Sequence, residues 1–271
     1  MKPQAIGLYD FSAFLIADFC ILIFMMKNTY RFFVSPSVIS GTSVLVADRD
    51  VLHQWISVLR LRVGQQIALL DGGGRGYIVE LTSLDKREAS GRVISEYAAS
   101  GEPAFATTLY VALTRGERFE WVLQKATELG ATAFVPLLCE RSQTESSANK
   151  QDRWTRIIRE AAEQAGRGVL PTLHPPTPFQ QALQNGMRGI MLAESGTTVS
   201  FAAALATQSR ELVTLWSGPE GGWSATEMAA AAQAGLILAT LGQRILRAET
   251  APIAALAALM FARDEWHTAE M

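Results

Sequence analysis

Apolar residues fall into two rhythms along this chain. Between Arg31 and about Glu96 they come in short, alternating runs broken by turn residues. Residues 43–47, 66–70, 76–81 and 89–94 read as strands, with turns at 71–74 and 85–86. A short helix, residues 50–59, lies among them, carrying His53 and ending at Arg60. From Thr108 onward, buried-strand runs alternate with helical stripes. Residues 108–113 and 133–138 are strands, and Phe119, Val122, Leu123, Ala126 and Leu129 trace one helix face that stops at Gly130. Asp152 is the expected cap of a helix with Trp154, Ile157, Ile158, Ala161 and Ala165 inward and Arg156, Arg159, Glu160 and Glu163 outward. Residues 189–193, 212–216 and 236–241 supply three further strands. The first rhythm predicts a small β-barrel, and the second an α/β domain with a mostly parallel sheet. The small, turn-prone residues 98–103 form the linker between them.

Two glycine-bearing loops follow apolar runs and so sit where buried strands end. They are Gly218-Pro219-Glu220-Gly221-Gly222 and Leu241-Gly242-Gln243-Arg244-Ile245-Leu246-Arg247. Ligands of open α/β sheets bind outside the carboxyl ends of the strands, so the two loops read as two walls of one pocket. Glycine lets backbone groups approach a ligand closely, and Pro219 stiffens the turn. Ser224 to Glu227 has the form of a capping box that opens a helix running to about Ala234 and ending at Gly235. The second loop passes through Glu249 and Thr250 into an Ala/Leu-rich helix over residues 251–266, with Pro252 in its first turn. A single such loop is explained by its role as a connector. A pair with Glu220, Arg244, Arg247 and Glu249 as neighbours is not. Asp71-Gly72-Gly73-Gly74 lies in a β-rich stretch, and no nucleotide-binding spacing occurs.

Composition narrows the classes. Of 271 residues, 49% are hydrophobic and 18% charged, which suits a globular chain with a real core. Cys20 and Cys139 give neither a disulfide framework nor a ligand spacing, and His53, His174 and His267 are scattered, so no metal is expected. The net charge of −2 does not by itself suggest RNA. Distribution matters more: Arg60, Arg62 and Arg75 lie early, while Arg115, Arg118, Arg141, Arg153, Arg156, Arg159 and Arg167 crowd the middle, each also explicable as a solvated charge. Residues 11–26 are an apolar run interrupted by Asp18, shorter than a membrane span and with no cleavage site after it. Residues 1–25 therefore read as a non-native extension before a start at Met26, and a membrane anchor is the lesser alternative.

GPEGG followed by LGQRILRAETA resembles the C-terminal signature of the RsmE-type 16S rRNA (uracil-N3) methyltransferases of the SPOUT superfamily. Residues 53–74 (HQWISVLRLRVGQQIALLDGGG) are similar to that family's N-terminal domain, as are 115–130 (RGERFEWVLQKATELG), Glu140-Arg141-Ser142 and 160–171 (EAAEQAGRGVLP) to later parts of it. The resemblance spans roughly Tyr30 to Arg263. It implies a PUA-like RNA-binding β-barrel over 26–97 and a SPOUT domain over 104–271 with a deep trefoil knot. It also implies S-adenosylmethionine held largely by backbone at Leu192–Glu194, Gly218–Gly222 and Leu241–Leu246, so at Leu192, Glu194, Gly218, Pro219, Glu220, Gly221, Gly222, Leu241, Gly242, Arg244, Ile245 and Leu246. Leu241, Ile245 and Leu246 suit an adenine slot.

For the acceptor, uracil N3 needs to lose its proton. Arg31, Arg115, Arg244 and Arg247 are candidates for stabilising the anion, and Glu220 and Glu249 for the base. Glu249 as a helix cap and Arg247 as its ion partner is the structural alternative. The resemblance further implies a decoding-region uridine of 16S rRNA in the 30S subunit, a homodimer and a cytoplasmic location. The competing readings are a SPOUT enzyme with another RNA target and a non-catalytic RNA-binding assembly factor.

Overall fold

The computed structural model describes residues 29–142, 148–184, 188–196 and 199–266. The extension 1–25, the start at Met26, Cys20 and His267 lie outside the described residues. The chain divides into two units, one ending with residues 75–98 and the other comprising 72–74 and 99 onward.

The first unit holds β1 (Arg31–Phe33), β2 (Ile39–Ser40), β3 (Ser43–Val46), α1 (Arg49–His53), β4 (Gln66–Leu70), β5 (Arg75–Leu84) and β6 (Ala89–Ala98). They form one sheet in the order β1-β4-β5-β6-β3-β2. Only β1 on β4 is parallel. Its core is built on Phe32, Trp55, Ile67, Leu69, Val79 and Leu81. Among the described residues no pairing joins β1 to β2, so the strands form a path and not the closed ring expected of a barrel. The β5–β6 hairpin outruns its apolar pattern, since backbone pairing continues where side chains reach solvent. Its turn is held by Asp85, whose carboxylate accepts from the Arg87 and Glu88 N–H groups at 2.7 and 3.0 Å. The cap of α1 is Asp48, which accepts from the Asp50 and Val51 N–H groups. The expected 50–59 helix is thus one α turn that widens into a π turn over Gln54–Val58, after which Arg60 takes a left-handed φ of 55°.

In the second unit the elements are β7 (Ala106–Ala112), α2 (Arg118–Glu128), β8 (Ala133–Leu138), α3 (Ala148–Ala165), β9 (Thr172–Leu173), β10 (Thr177–Pro178), α4 (Phe179–Gln184), β11 (Ile190–Leu192), α5 (Phe201–Leu205), β12 (Leu212–Ser217), α6 (Ala225–Gln233), β13 (Ile237–Ala239) and α7 (Thr250–Ala262). The sheet runs β10-β8-β7-β12-β11-β13, with β9 also on β8, and every pairing is parallel. Both faces are covered, as parallel sheets require. Leu109 and Val111 face a core with α2, α3, α5 and α7, whereas Tyr110 and Ala112 face one with α4 and α6. Trp216 stacks on Tyr110 at 3.9 Å between centroids. None of the helices among the described residues is long and apolar enough to cross a membrane.

Several expected boundaries move. α3 begins at Ala148, so Asp152 lies inside the helix and does not cap it. Its inner face is Trp154, Ile158, Ala161 and Ala162, while Ala165 is exposed. The apolar stripe located the helix, but not its first turn. α7 ends at Ala262, where Arg263 leaves the helical region and Asp264 turns left-handed.

Arg167 is not a surface charge. It is 2% exposed and donates through Nη1 to the Thr127 and Ala131 carbonyls and through Nε to Glu102. Glu102 also accepts from the Gly168 and Val169 N–H groups, so one carboxylate satisfies a buried cation and two amides. Breaking such a pair strands the buried charge, and Glu102→Ala is expected to cost on the order of 3 kcal/mol in urea unfolding. An unchanged midpoint would contradict this.

Candidate functional site

At the carboxyl edge of the parallel sheet, successive loops are tied to one another by side chains. β12 ends at Ser217 and the chain turns through Gly218–Gly222, where the Gly222 N–H donates to the Pro219 carbonyl at 2.9 Å with φ of 68°. A Cβ on Gly218 would stand 2.9 Å from the Trp223 ring, so glycine is what lets that indole lie beneath the loop. Trp223 Nε1 then donates to the Leu192 carbonyl at 2.8 Å, joining the loop after β12 to the end of β11. Arg141, beyond β8, donates to the Gly221 carbonyl at 2.9 Å.

Ser224 opens α6 as the expected capping box. Its Oγ accepts from the Glu227 N–H, and Glu227 Oε2 accepts from the Ser224 N–H at 2.9 Å. The other Glu227 oxygen accepts from the Glu140 N–H at 2.9 Å, which explains why a carboxylate only 4% exposed is held there. On the far side, Thr240 Oγ1 accepts from the Gly242 N–H and donates to its carbonyl, with Gly242 at φ 112°. The Thr250 and Ala251 N–H groups close on the Arg247 carbonyl as α7 begins.

These loops enclose a cavity of about 650 Å³. One wall is Leu192–Ser195, the second Ser217–Trp223, and the third Thr240–Glu249. Next to it lies a second cavity of about 710 Å³, lined by Arg115, Gly116, Glu117 and Trp121. Arg118, Glu220 and Glu249 line both. The Arg118 guanidinium donates to Glu220 at 2.9 Å, its Nε lies 4.0 Å from Glu249, and Glu220 also accepts from the Arg115 N–H at 3.0 Å.

Residues 101–260 match the RNA methyltransferase domain family, and residues 56–94 match its PUA domain. The ribosomal RNA small subunit methyltransferase E of Synechocystis is 37% identical over 233 residues, covering 84% of this chain and 76% of that protein. Its Bacillus subtilis namesake is 32% identical, covering 78% and 88%. This chain belongs to the small subunit methyltransferase E family. Among solved structures, the Neisseria gonorrhoeae enzyme of that name bound to S-adenosyl methionine is similar with a TM-score of 0.78 at 31% identity, covering 87% of this chain and 98% of that one. A Legionella pneumophila structure with bound cofactor SAM gives 0.80 at 29% identity with the same coverage. The resemblance read from the two glycine loops is therefore correct, and the chain is a methyltransferase with a PUA domain and an α/β domain.

All twelve positions expected to hold the cofactor line the first cavity: Leu192 and Glu194 on one wall, the five residues of Gly218–Gly222 on the second, and Leu241, Gly242, Arg244, Ile245 and Leu246 on the third. Of the expected acceptor-side residues, Glu220, Arg247 and Glu249 line it too, while Arg115 lines its neighbour. Arg31 lies on β1 of the other unit and lines neither. Glu249 is the N-cap of α7 but makes no side-chain cap bond, and its ion partner is Arg118 in place of Arg247.

Sequence reasoning left Arg118, Arg141 and Trp223 out of the site. Arg118 and Arg141 stand inside matched motifs as plain arginines, and only folding brings them against the GPEGG loop. Cys139 is buried beside Glu227; burial first, then that negative charge, pushes its thiol well above the ordinary range, so it is an inert packing group. No cluster of metal-ligating side chains occurs among the described residues.

Burial alone raises the Glu220 pKa, but the N–H groups of Glu220 and Arg115 and the Arg118 guanidinium outweigh it and hold the carboxyl below 4.5. The folded value is depressed, so the Arg118 pairing is intact above pH 4.5 and is lost as pH falls through the lower folded value. A carbon-13 titration is expected to put the Glu220 midpoint below 4.5, rising toward it in Arg118→Met. A wild-type midpoint at or above 4.5 would contradict the assigned contacts.

Proposed function

We propose that this chain transfers a methyl group from S-adenosylmethionine to uracil N3 of a decoding-region uridine in 16S rRNA, acting on the 30S subunit as a cytoplasmic homodimer. The observation that carries the reading is the single cavity on which both glycine loops and the end of β11 converge, in a chain whose relatives include a structure bound to S-adenosyl methionine.

The residues present suit that cofactor. The cavity's size lies within the range of small-molecule sites. Leu241 and Leu246 offer apolar surface for adenine beside the more exposed Ile245, and Gly222 and Gly242 add no side chain to the walls. Glu194 offers a carboxylate on one wall and Arg244 a guanidinium on another. When bound, the sulfonium supplies an electrophilic methyl group. We assign the segment from β11 to α7 as a deep trefoil knot, a rare exception to the rules of chain connection.

On the acceptor side, the protein's own groups have to remove and accommodate the N3 proton. Glu220 is committed to the Arg115 N–H and Arg118, so its role is to position them. Glu249, lining both cavities, is the group assigned to take the proton, and Arg115 and Arg247 stabilise the resulting anion through charge-assisted hydrogen bonds. Arg31, on the PUA-containing unit at 26–97, is assigned to the rRNA. The exposed Phe261, near the end of α7, and Trp266, just beyond it, supply apolar surface for a second copy.

The test is transfer of tritiated methyl to 30S subunits lacking the modification, followed by nucleoside mass spectrometry. The expected product is 3-methyluridine, with Glu249→Gln lowering kcat at least about 100-fold and leaving cofactor affinity within about twofold. Methyl transfer to tRNA alone, or cofactor binding with no transfer, would overturn the assignment of target or of activity.

A further inference from the structure

The second cavity adjoins the first, and one of its lining residues is out of place by the rules of packing. α2 buries Phe119, Val122, Leu123 and Ala126 against the sheet. Trp121 sits on the opposite face, 52% exposed and outside both core clusters of its unit. The Lys125 ammonium lies 5.0 Å from its ring centroid, on the turn after it. Helical side chains lean toward the preceding turn, and there Glu117 and Arg118 share the cavity with the indole. A large flat apolar face is thus presented at the rim of a cleft that adjoins the cofactor cavity through Arg118, Glu220 and Glu249.

The polar lining has a pattern. Uracil presents two carbonyl acceptors flanking one N–H donor. The cleft offers the arginines Arg115 and Arg118, donors suited to the two carbonyls, together with the carboxylate of Glu249, an acceptor suited to the N–H. Cytosine, with an acceptor at N3, would set a lone pair against that carboxylate. Nucleotides extruded from a helix are commonly read in this way, by stacking on an aromatic ring and hydrogen bonds to the Watson–Crick edge.

We infer that the second cavity is the uracil pocket, with Trp121 as the stacking platform for the target base and Arg115, Arg118 and Glu249 as the edge that selects uracil over cytosine. The inference rests on the proposed methyl transfer to uridine and adds the residues that receive the base.

Two measurements on the full chain test it. The first is binding of single-stranded oligouridylate and oligocytidylate of equal length, followed by tryptophan fluorescence with S-adenosylhomocysteine present. Oligouridylate is expected to quench wild-type emission and to bind at least about tenfold more tightly than oligocytidylate, because an unmatched polar edge is costly. Trp121→Phe is expected to lose the quenching and keep the affinity, whereas Trp121→Ala weakens binding about 5- to 150-fold, the range for loss of one base–aromatic stack. Quenching that persists in Trp121→Phe, or equal binding of the two oligonucleotides, would overturn the pocket.

The second measurement is kcat/KM on 30S subunits together with cofactor affinity and light-scattering mass. Trp121→Ala is expected to lower kcat/KM by a similar factor at unchanged cofactor affinity and mass, with Trp121→Phe restoring most of it. A Trp121→Ala protein that becomes monomeric while the wild type is dimeric would assign the ring to a contact between copies and overturn the inference. If the wild type methylates no 30S RNA but its oligouridylate quenching depends on Trp121, the pocket stands and the proposed substrate falls. If methylation proceeds and Trp121→Ala retains full kcat/KM, the substrate stands and the pocket falls.

Discussion

Parallel strands all end at the same edge, and every loop that leaves there carries backbone groups that no neighbouring strand can satisfy. That constraint shapes the candidate site. Four side chains meet it by reaching across from one loop to another: Trp223 to the Leu192 carbonyl, Arg141 to the Gly221 carbonyl, Glu227 to the Glu140 N–H and Glu220 to the Arg115 N–H. Each bond is worth little net, but where the bond is buried, as between Trp223 and the Leu192 carbonyl, leaving it unmade is costly. The loops after β7, β8, β11 and β12 are thereby held as one rigid surround. A site that relies on backbone groups for binding needs such a surround, because a backbone donor can be aimed only by fixing its loop.

The same ties divide labour among the charged residues. Glu227 and Arg141 have their hydrogen bonds filled by loop backbone, so they shape the walls. Arg118 and Glu220 are paired with each other at the junction of the two cavities. Glu249 touches this pair only at 4.0 Å and has no bond to its own helix, which makes it the carboxylate at the junction with most capacity left for another partner.

Much of the site was legible in the chain because glycines and a capping box are local signals. The GPEGG loop, Ser224 to Glu227 and Gly242 each announce a backbone requirement that can be read within a few residues. The apolar run at 108–113 likewise announced a buried strand. What could not be read are the contacts that only topology creates. Nothing near Arg141 or Trp223 says that the first will meet Gly221 or the second Leu192. The burial of Arg167 depends on Glu102, far away in sequence. Asp152 misled because an acidic residue ahead of an apolar stripe suits a second turn as well as a cap. The short strands β1, β2, β9 and β10 are too brief to carry a period.

Whether three loops at one sheet edge make one cofactor site is decided by calorimetry with S-adenosylhomocysteine followed by a crystal structure of that complex. One molecule per chain is expected, with adenine against Leu241 and Leu246 and the amino acid end beside Gly218–Gly222. A saturating titration with no heat, or a ligand seated away from those walls, would contradict it.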